Sequence, residues 1–346
     1  MPPPSLSASL PWLIAGTGLT TLLLLILPPL ARKVGLVDRP NARKQHAHPI
    51  PVVGGLAMLP GALLGLHGVG ITLDTPSSQA FIVGMVGLTL VGLLDDRFDL
   101  SVPARFGAQA LAGVAMVLWG GDSVNSLGNL MGGGRIDITL VAAPFTVICV
   151  VGVINALNMT DGIDGLAGGL TLIGFGQILL LALAAQQVEA TGSALAFIFV
   201  LIPFLAFNAR LFGRPRAFLF MGDAGSMLLG FAMVWHTVRL SQGDLAIMSP
   251  AVALWVLAVP LLDMFGAFVR RLTAGHSPFN PDRKHLHHIL LQRGFGVKGS
   301  CRIMITGAIL AGVVGVGGQL LLVPEVILFL LILLLFATTL FFGIRN

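Results

Sequence analysis

The chain has 346 residues, of which 55% are hydrophobic and 10% are charged, and its mean hydropathy is +0.93. Soluble globular domains carry roughly 25% charged residues, so this composition excludes a soluble globular protein. The net charge of +5 is compatible with nucleic acid, but no nucleic-acid-binding motif accompanies it, and we expect no nucleic-acid partner.

Apolar runs recur along the chain and are long enough to cross a bilayer core, which requires about 20 helical residues. No segment alternates between apolar and polar residues as the strands of membrane barrels do. We therefore predict an all-α integral membrane protein, a polytopic bundle of about 11 transmembrane helices. The predicted spans are residues 11–30, 51–70, 79–94, 104–119, 139–155, 166–186, 193–208, 224–240, 247–269, 303–323 and 326–343.

The lysines and arginines predict the orientation, because these residues accumulate on the cytoplasmic side of a membrane protein. An N-terminus outside the cytoplasm places 18 of the 20 basic residues in the inside loops and leaves Arg135 and Arg239 outside. The first basic residue is Arg32, so the N-terminal segment lacks the positive start of a cleaved signal peptide. The C-terminus is then predicted to lie inside.

The whole chain, residues 1–346, is predicted to form one polytopic membrane domain. Its inside loops contain tight groups of carboxylates, whereas the outside acids are scattered. Carboxylates clustered at a membrane are energetically costly unless a bound partner compensates their charge. Their glycine and basic neighbours indicate that this partner is a divalent cation together with phosphates. The loops predicted to form this site are residues 31–50, 95–104, 155–165, 209–223 and 270–302.

The first motif along the chain is the basic segment before the second predicted span. It contains Arg43, Lys44 and His46 and ends in Gly54-Gly55. Basic side chains just inside a bilayer attract a lipid phosphate, and we expect these three to do so. Basic residues at this position also determine membrane topology, so the motif alone does not distinguish that role from the binding of a lipid phosphate.

The second motif is Asp95-Asp96, at the inner end of the third predicted span. Adjacent carboxylates repel one another, so they persist where a cation or a proton compensates their charge. Mg2+ takes oxygen ligands and often shares its shell with substrate phosphates. The alternative is an acidic loop that caps the next helix.

The third motif spaces four polar residues by three positions: Asn155, Asn158, Asp161 and Asp164. Residues at this spacing are neighbours on a helix, and glycines after both aspartates would let the segment unwind towards a ligand. Because four polar side chains leaving an apolar span would be costly to bury without partners, we predict that they serve a site.

The fourth motif, Phe220–Ser226, places Asp223 between glycines just before the eighth predicted span. A helix N-terminus favours phosphate oxygens, and the glycines permit close approach of a backbone. The alternative is that Asp223 merely caps the helix.

The fifth motif is Ser277–His288, which contains Arg283 and three histidines, His285, His287 and His288. Zinc sites favour wider spacing together with cysteine or carboxylate partners, so a zinc site is a weaker interpretation. Beside arginine and lysine, these imidazoles are more typical of N–H donors to a diphosphate.

Together, the five motifs resemble those of the polyprenyl-phosphate N-acetylhexosamine-1-phosphate transferases, in the same order, from about Asp38 to Phe295. The segment Ser277–His288 is similar to that of the bacterial WecA/TagO branch, the undecaprenyl-phosphate GlcNAc-1-phosphate transferases. Leu286 interrupts the three consecutive histidines typical of the branch that makes the first lipid intermediate of peptidoglycan. This difference argues against a muramyl-pentapeptide substrate.

The resemblance implies transfer of GlcNAc-1-phosphate from UDP-GlcNAc to undecaprenyl phosphate, with release of UMP and with Mg2+ or Mn2+. It implies a multi-pass protein of the bacterial cytoplasmic (inner) membrane with a cytoplasmic active site, in a family where homodimers are common. It gives metal binding to Asp223 and Asn158 and catalysis to Asp95 and Asp96. The implied uridine contacts are Asp161, Asp164, Gly162 and Phe220, and the implied diphosphate and sugar contacts are His285, His287, His288 and Arg283.

Several alternatives stay open at this point. Direct attack of the lipid phosphate is favoured, with Asp95 or Asp96 taking a proton or ordering the metal shell, over a covalent aspartyl intermediate. Another UDP-N-acetylhexosamine is an alternative donor. A secondary transporter would place polar groups at the bilayer midplane and show an internal repeat, and neither pattern is visible here. Asp263, inside the ninth predicted span, is either a helix-packing partner or a pore-side group.

Overall fold

The computed structural model describes residues 5–38, 49–210, 214–275, 277 and 285–344. This part of the chain is mainly helical, and its one two-stranded antiparallel sheet pairs β1 (Val37–Asp38) with β2 (Ile50–Pro51). Short 3-10 turns occur at Thr139–Val141 and Gly243–Leu245. The α-helices are α1 (Leu6–Val34), α2 (Gly54–Gly68), α3 (Pro76–Phe98), α4 (Val102–Leu118), α5 (Ala142–Thr160), α6 (Leu166–Ala184), α7 (Val188–Asn208), α8 (Gly222–Arg239), α9 (Pro250–Val256), α10 (Ala258–Thr273), α11 (Leu286–Gln292), α12 (Gly296–Leu320) and α13 (Glu325–Ile344).

Six helices in the described ranges are long and apolar enough to cross a membrane, and the bent pair α9–α10 would make a seventh. The six are α1, α3, α5, α6, α7 and α12, while α4 and the part of α13 from Glu325 to Phe341 are shorter apolar segments. The protein is therefore a polytopic helical membrane protein.

Every predicted span overlaps a helix, but the ninth, residues 247–269, is not continuous. Helices α9 and α10 meet at Leu257 with a bend of 81°. Pro260 supplies the physical reason. It has no N–H for the carbonyl four residues earlier, that of Val256, and its ring clashes with that carbonyl. Val256 is the last residue of α9.

The contacts at the helix ends show that α3 and α8 run in opposite directions. At one end of the bundle, the carboxylate at the end of α3 meets the start of α8, where Asp96 accepts the N–H of Asp223. At the other end, Ser77 at the start of α3 accepts a 2.7 Å hydrogen bond from Arg239 at the end of α8. We call these the site end and the far end.

Helix α8 lies at the centre of the bundle, and every residue from Ala224 to Val238 is buried. A helix that is apolar around its whole circumference is typical of such a position. Phe81 of α3 stacks on Trp235 of α8 with ring centroids 4.0 Å apart, and His236 contacts both rings edge-on. This packing fixes α8 between its neighbours, so its first turn has a defined place at the site end.

Candidate active site

The end of α3 contacts the start of α8 through a carboxylate. Asp96 accepts hydrogen bonds from the backbone N–H groups of Asp223, at 2.9 Å, and Ala224, at 3.2 Å. The first N–H groups of a helix have no partner within the helix, and its dipole attracts negative charge there. Asp96 therefore caps α8 from another helix and fixes the backbone that carries Asp223.

Glycines let the backbones of α2, α3 and α8 touch beside this contact. A Cβ atom on Gly92 would overlap the backbone nitrogen of Ala224, and one on Gly55 would overlap that of Gly225. Gly222 has a φ of +74°, which residues with a side chain rarely adopt. Close backbone approach is thus the role of Gly55 and Gly92.

Asp95, the neighbour of Asp96, bonds to other groups. One carboxylate oxygen accepts from Arg105 of α4 at 3.0 Å, and the other accepts from the backbone N–H of Leu100 at 2.8 Å. The Asp95 side chain is 2% exposed, and the guanidinium compensates its charge. The adjacent acids therefore coexist because each has its own positive partner, a cation for one and a helix N-terminus for the other.

Asn158, in the last turn of α5, contacts the Asp223 side chain. Its amide donates to the Asp223 carboxylate and, at 2.9 Å, to the hydroxyl of Ser226. The two predicted metal-binding residues, 65 positions apart in sequence, thus lie side by side. One turn earlier, Asn155 donates to Gln109 of α4 at 2.5 Å, so it joins α5 to α4 instead.

The segment between α5 and α6 is held to the end of α7. Asp164 accepts two hydrogen bonds at Oδ2, from Arg210 at 2.7 Å and from the backbone N–H of Ala217 at 3.0 Å. Gly165, with a φ of +82°, donates its N–H to Asn208 at 2.9 Å. These bonds give the segment 161–165 a fixed shape.

Asp161 follows the last residue of α5 and lies among other acids. Burial raises the pKa of its carboxyl well above the usual value, and the charges of Asp223, Asp96 and Asp164 raise it further. Repulsion of this kind is relieved by a proton or by a bound cation. The acids around the segment 161–165 therefore favour either a proton or a bound cation.

His287 packs against the same segment, since a Cβ atom on Gly162 would overlap its Nε2 atom. The residue is 1% exposed, and neither ring nitrogen has a hydrogen-bond partner in the described part of the chain. Burial and, to a smaller extent, the charge of His288 lower the pKa of His287 to about 4. The ring is thus neutral at pH 7 and has unused hydrogen-bonding capacity, which is costly to bury without a ligand.

His285 differs from His287 in its surroundings. Its Nδ1 lies 3.1 Å from a carboxylate oxygen of Asp263 in α10, and its Nε2 lies 3.5 Å from the guanidinium of Arg271. The rings of His285 and His287 are nearly parallel, with centroids 5.9 Å apart, and that of His288 lies 4.1 Å from His287. The three histidines are therefore together, but only His287 has both nitrogens without a protein partner in the described ranges.

Phe220 is held at the site end by its main chain. Its N–H donates to Pro51 at 2.9 Å, and its carbonyl accepts from Gly54 at 3.0 Å. The segment before α8 is thereby tied to the start of α2. The remaining sequence candidates lie outside the described residues, and these are Arg43, Lys44, His46 and Arg283.

The pair Asp223 and Asn158 is chemically compatible with a magnesium ion. Within the described ranges, no group of three or more His, Cys, Asp or Glu residues is arranged to hold a metal. Mg2+ does not require one, because it is usually held by one or two carboxylates and completes its octahedral shell with waters and phosphates. The Asp223 carboxylate and the Asn158 amide oxygen are such donors, and the carboxyl groups of Asp96 and Asp161 lie nearby.

Several site residues were not among the sequence candidates, and these are Arg105, Gln109, Asn208, Arg210 and Asp263. One sequence signal could have found Arg105. It follows Asp95 by ten residues across a short helix–helix connection, which brings antiparallel neighbours together. No local signal pairs Arg210 with Asp164, since 46 positions separate them and only the packing of α6 and α7 brings them together.

A bundle of membrane-spanning helices with carboxylates, an amide and imidazoles gathered at one end defines a multi-pass membrane enzyme. The model of glycosyl transferase family 4 matches residues 78–241, which include Asp95, Asn158 and Asp223. The undecaprenyl-phosphate alpha-N-acetylglucosaminyl 1-phosphate transferase of Yersinia pestis is 39% identical over 88% of this chain and 83% of its own length.

Proteins of the same name from Escherichia coli (strain K12) and Haemophilus influenzae are also similar. They are 38% and 35% identical over 92% and 91% of this chain, and over 86% and 88% of their own lengths. The chain belongs to this family of membrane glycosyl-1-phosphate transferases.

Proposed function

We propose that the protein transfers N-acetylglucosamine 1-phosphate from UDP-GlcNAc to undecaprenyl phosphate, giving undecaprenyl-diphospho-GlcNAc and UMP. The names of the relatives supply the acceptor and the transferred group. The observation that carries the proposal is the contact between Asp223 and Asn158, with further acids around them. It lies next to the segment against which His287 packs, and the ring of His287 has no hydrogen-bond partner among the described residues. Oxygen ligands for Mg2+ and N–H donors for anionic oxygens are the groups that a diphosphate requires.

In the proposed step, an oxygen of the lipid phosphate attacks the phosphorus that carries the sugar. A new P–O bond forms, the bond between the two phosphoryl groups of the donor breaks, and UMP leaves with the electron pair. Transfers of this kind depend mainly on positioning and on neutralisation of charge. A phosphate monoester has a second pKa of about 6, so the acceptor is largely dianionic at pH 7 and needs no strong base.

Direct attack is favoured over an aspartyl intermediate by the bonds that the paired acids already make. Asp95 bonds to Arg105 and Leu100, and Asp96 bonds to the first turn of α8. A carboxylate nucleophile would have to leave such partners to reach phosphorus. In the proposal, Asp95 and Asp96 order the metal-binding end of α8 and hold Arg105 beside the reacting phosphates.

Asp223 and Asn158 would hold Mg2+, or Mn2+ in its place, and the ion would neutralise charge on the phosphates. The uridine would lie against the segment 161–165 and Phe220. There, the two bonds that Asp164 makes within the described ranges both use Oδ2, which leaves Oδ1 for the uridine. His287 would donate to the diphosphate. The other proposed contacts are His288 and Arg283 for the donor, and Arg43, Lys44 and His46 for the lipid phosphate.

We further propose 11 membrane crossings, with α9 and α10 counted as one, in a bacterial inner membrane. The N-terminus would be periplasmic and the site end cytoplasmic. The charge distribution supports this orientation: Arg105 and Arg210 lie at the site end, and Arg239 lies at the far end.

The test is an assay of purified protein in detergent with Mg2+, UDP-GlcNAc and undecaprenyl phosphate. The proposal predicts UMP and lipid-diphospho-GlcNAc in equal amounts, measured by mass spectrometry. A secondary transporter would form neither product. A panel of UDP-N-acetylhexosamines in the same assay identifies the donor. If only another UDP-sugar gave a product, the proposed type of reaction would stand, but the donor would not be UDP-GlcNAc.

A further inference from the structure

Asp263 is a buried carboxylate in α10 whose role the sequence left open. It is 3% exposed in an apolar helix, where an isolated ionised carboxylate would be strongly unfavourable. Its Oδ2 lies 3.1 Å from Nδ1 of His285, and its Oδ1 accepts the backbone N–H of Leu286 at 2.5 Å. Both partners belong to the start of α11, the helix that carries His287.

These contacts assign the protons of His285. A carboxylate accepts, so the hydrogen on Nδ1 faces Asp263, and the neutral ring then has its acceptor at Nε2. That nitrogen faces the guanidinium of Arg271, which can only donate. His285 therefore directs both its donor and its acceptor at protein groups.

His287 lies two residues further on, and the described part of the chain holds its ring by packing without a hydrogen bond. The ring faces Gly162 on one side and runs parallel to that of His285 on another. Its direction therefore depends on the backbone of the first turn of α11. Asp263 fixes that backbone through Leu286 and through the ring of His285.

We infer that Asp263 is a positioning residue for phosphoryl transfer, which acts through His285 and the N–H of Leu286 to aim His287 at the diphosphate of the donor. The inference rests on the proposed function and gives the two histidines different roles. His285 holds the start of α11 in place, and His287 binds the diphosphate of the donor. Partners that orient metal-ligating histidines contribute about 10- to 100-fold in metal affinity or activity, and we expect an effect of the same size for this phosphate-binding histidine.

The first test compares two substitutions of His285. Asparagine places its amide nitrogen near Nδ1 and can still donate to Asp263, whereas glutamine places it near Nε2 and cannot. We expect His285→Asn to keep most of the wild-type kcat/KM for the UDP-sugar and His285→Gln to lose about 10-fold or more. If His285 itself bound the diphosphate through Nε2, the order would be reversed, and the inference would be overturned.

The second test is a double-mutant cycle. Asp263→Asn keeps the size of the side chain but replaces one acceptor by a donor, so we expect kcat/KM for the UDP-sugar to fall about 10- to 100-fold. The KM for the lipid should not change. In a His287→Ala background the same substitution should have little further effect, because it acts through that ring. Fully additive losses would contradict the inference.

Asp122→Asn is the matched control, because Asp122 is a carboxylate at the far end with partners on three residues. These partners are Ser77, Trp235 and Arg239. We expect this variant to melt at a lower temperature while its KM for the UDP-sugar stays at the wild-type value. If Asp122→Asn and Asp263→Asn raised the KM for the UDP-sugar equally, Asp263 would have only a structural role.

Asp263→Glu and Asp263→Ala cover the case in which Asp263→Asn does not fold. The glutamate keeps the carboxylate and should recover part of the activity that the alanine loses, and equal activity in the two would overturn the inference. A wild-type protein that forms no UMP would overturn the proposed function instead. If the wild type is active but the losses from Asp263→Asn and His287→Ala are fully additive, only the positioning role of Asp263 is overturned.

Discussion

Asp96 accepts a 2.9 Å hydrogen bond from the backbone N–H of Asp223, so the last turn of α3 and the first turn of α8 form one unit. These residues lie 127 positions apart in the sequence. The N-cap residue of α8, Met221, makes no side-chain capping bond, and Asp96 takes that place from a neighbouring helix. Any displacement of α3 relative to α8 therefore moves the residue proposed to hold the metal.

Gly92→Ala should displace these helices and abolish most activity. The added Cβ atom would overlap the backbone of Ala224, and a backbone cannot move aside as a flexible side chain can. Gly87→Ala, on the same helix, is the control, because its Cβ atom would meet nothing within 4 Å. We expect UMP release near the wild-type rate for Gly87→Ala and a large loss for Gly92→Ala, and equal rates would refute the proposed close approach.

Arg105→Gln should lower both activity and thermal stability, because it leaves the buried Asp95 carboxylate without its cation. A second change, Asp95→Asn, removes that uncompensated charge. The melting temperature of the double variant should therefore recover towards the wild-type value while its activity stays low. If the double variant melted no higher than Arg105→Gln, the ion pair would not be the source of the loss.

Removal of divalent metal should stop the reaction. We expect EDTA to abolish UMP formation and Mg2+ or Mn2+ to restore it, because the charges of the two phosphorylated substrates otherwise repel. Asn158→Leu should need a much higher Mg2+ concentration for half-maximal rate, since it removes one oxygen ligand. Full activity in metal-free buffer would exclude the proposed role of Asp223 and Asn158 in metal binding.

His287 should make the free protein less stable at acidic pH. Burial lowers the pKa of His287 to about 4, whereas an unperturbed histidine has a pKa of about 6.5. The folded state thus binds fewer protons than the unfolded state between these values, and stability falls as the pH drops from 6.5 towards 4. Melting curves in detergent should show a smaller loss between pH 7 and pH 5 for His287→Gln than for wild type, and parallel losses would contradict this.

The sequence predicted the helices well because apolar runs long enough to span a bilayer leave few alternatives to a helix. It missed the break at Leu257, since the composition of the ninth span is apolar on both sides of Pro260 and the bend depends on one proline. The basic residues and the alternation of spans predict that the acidic motifs lie on the same side of the membrane, and this stays a prediction.

The partners of each motif residue could not be predicted from the sequence. Asp95 and Asp96 are adjacent and chemically identical, yet one bonds to Arg105 and the other to the start of α8. His285 and His287 belong to one motif, yet only His285 faces Asp263. These differences arise from the direction in which each side chain leaves its backbone, which depends on the packing of distant helices.

The most direct test of the central claim measures UMP and lipid-diphospho-GlcNAc formed by wild-type protein and by Asp223→Asn, both purified in detergent with Mg2+, UDP-GlcNAc and undecaprenyl phosphate. The two proteins are first compared by melting temperature, so that a loss of activity is not a loss of folding. We predict equal amounts of both products from the wild type and a loss of about 10³-fold or more in the variant. Substantial turnover by Asp223→Asn, or no product from the wild type, would contradict the account.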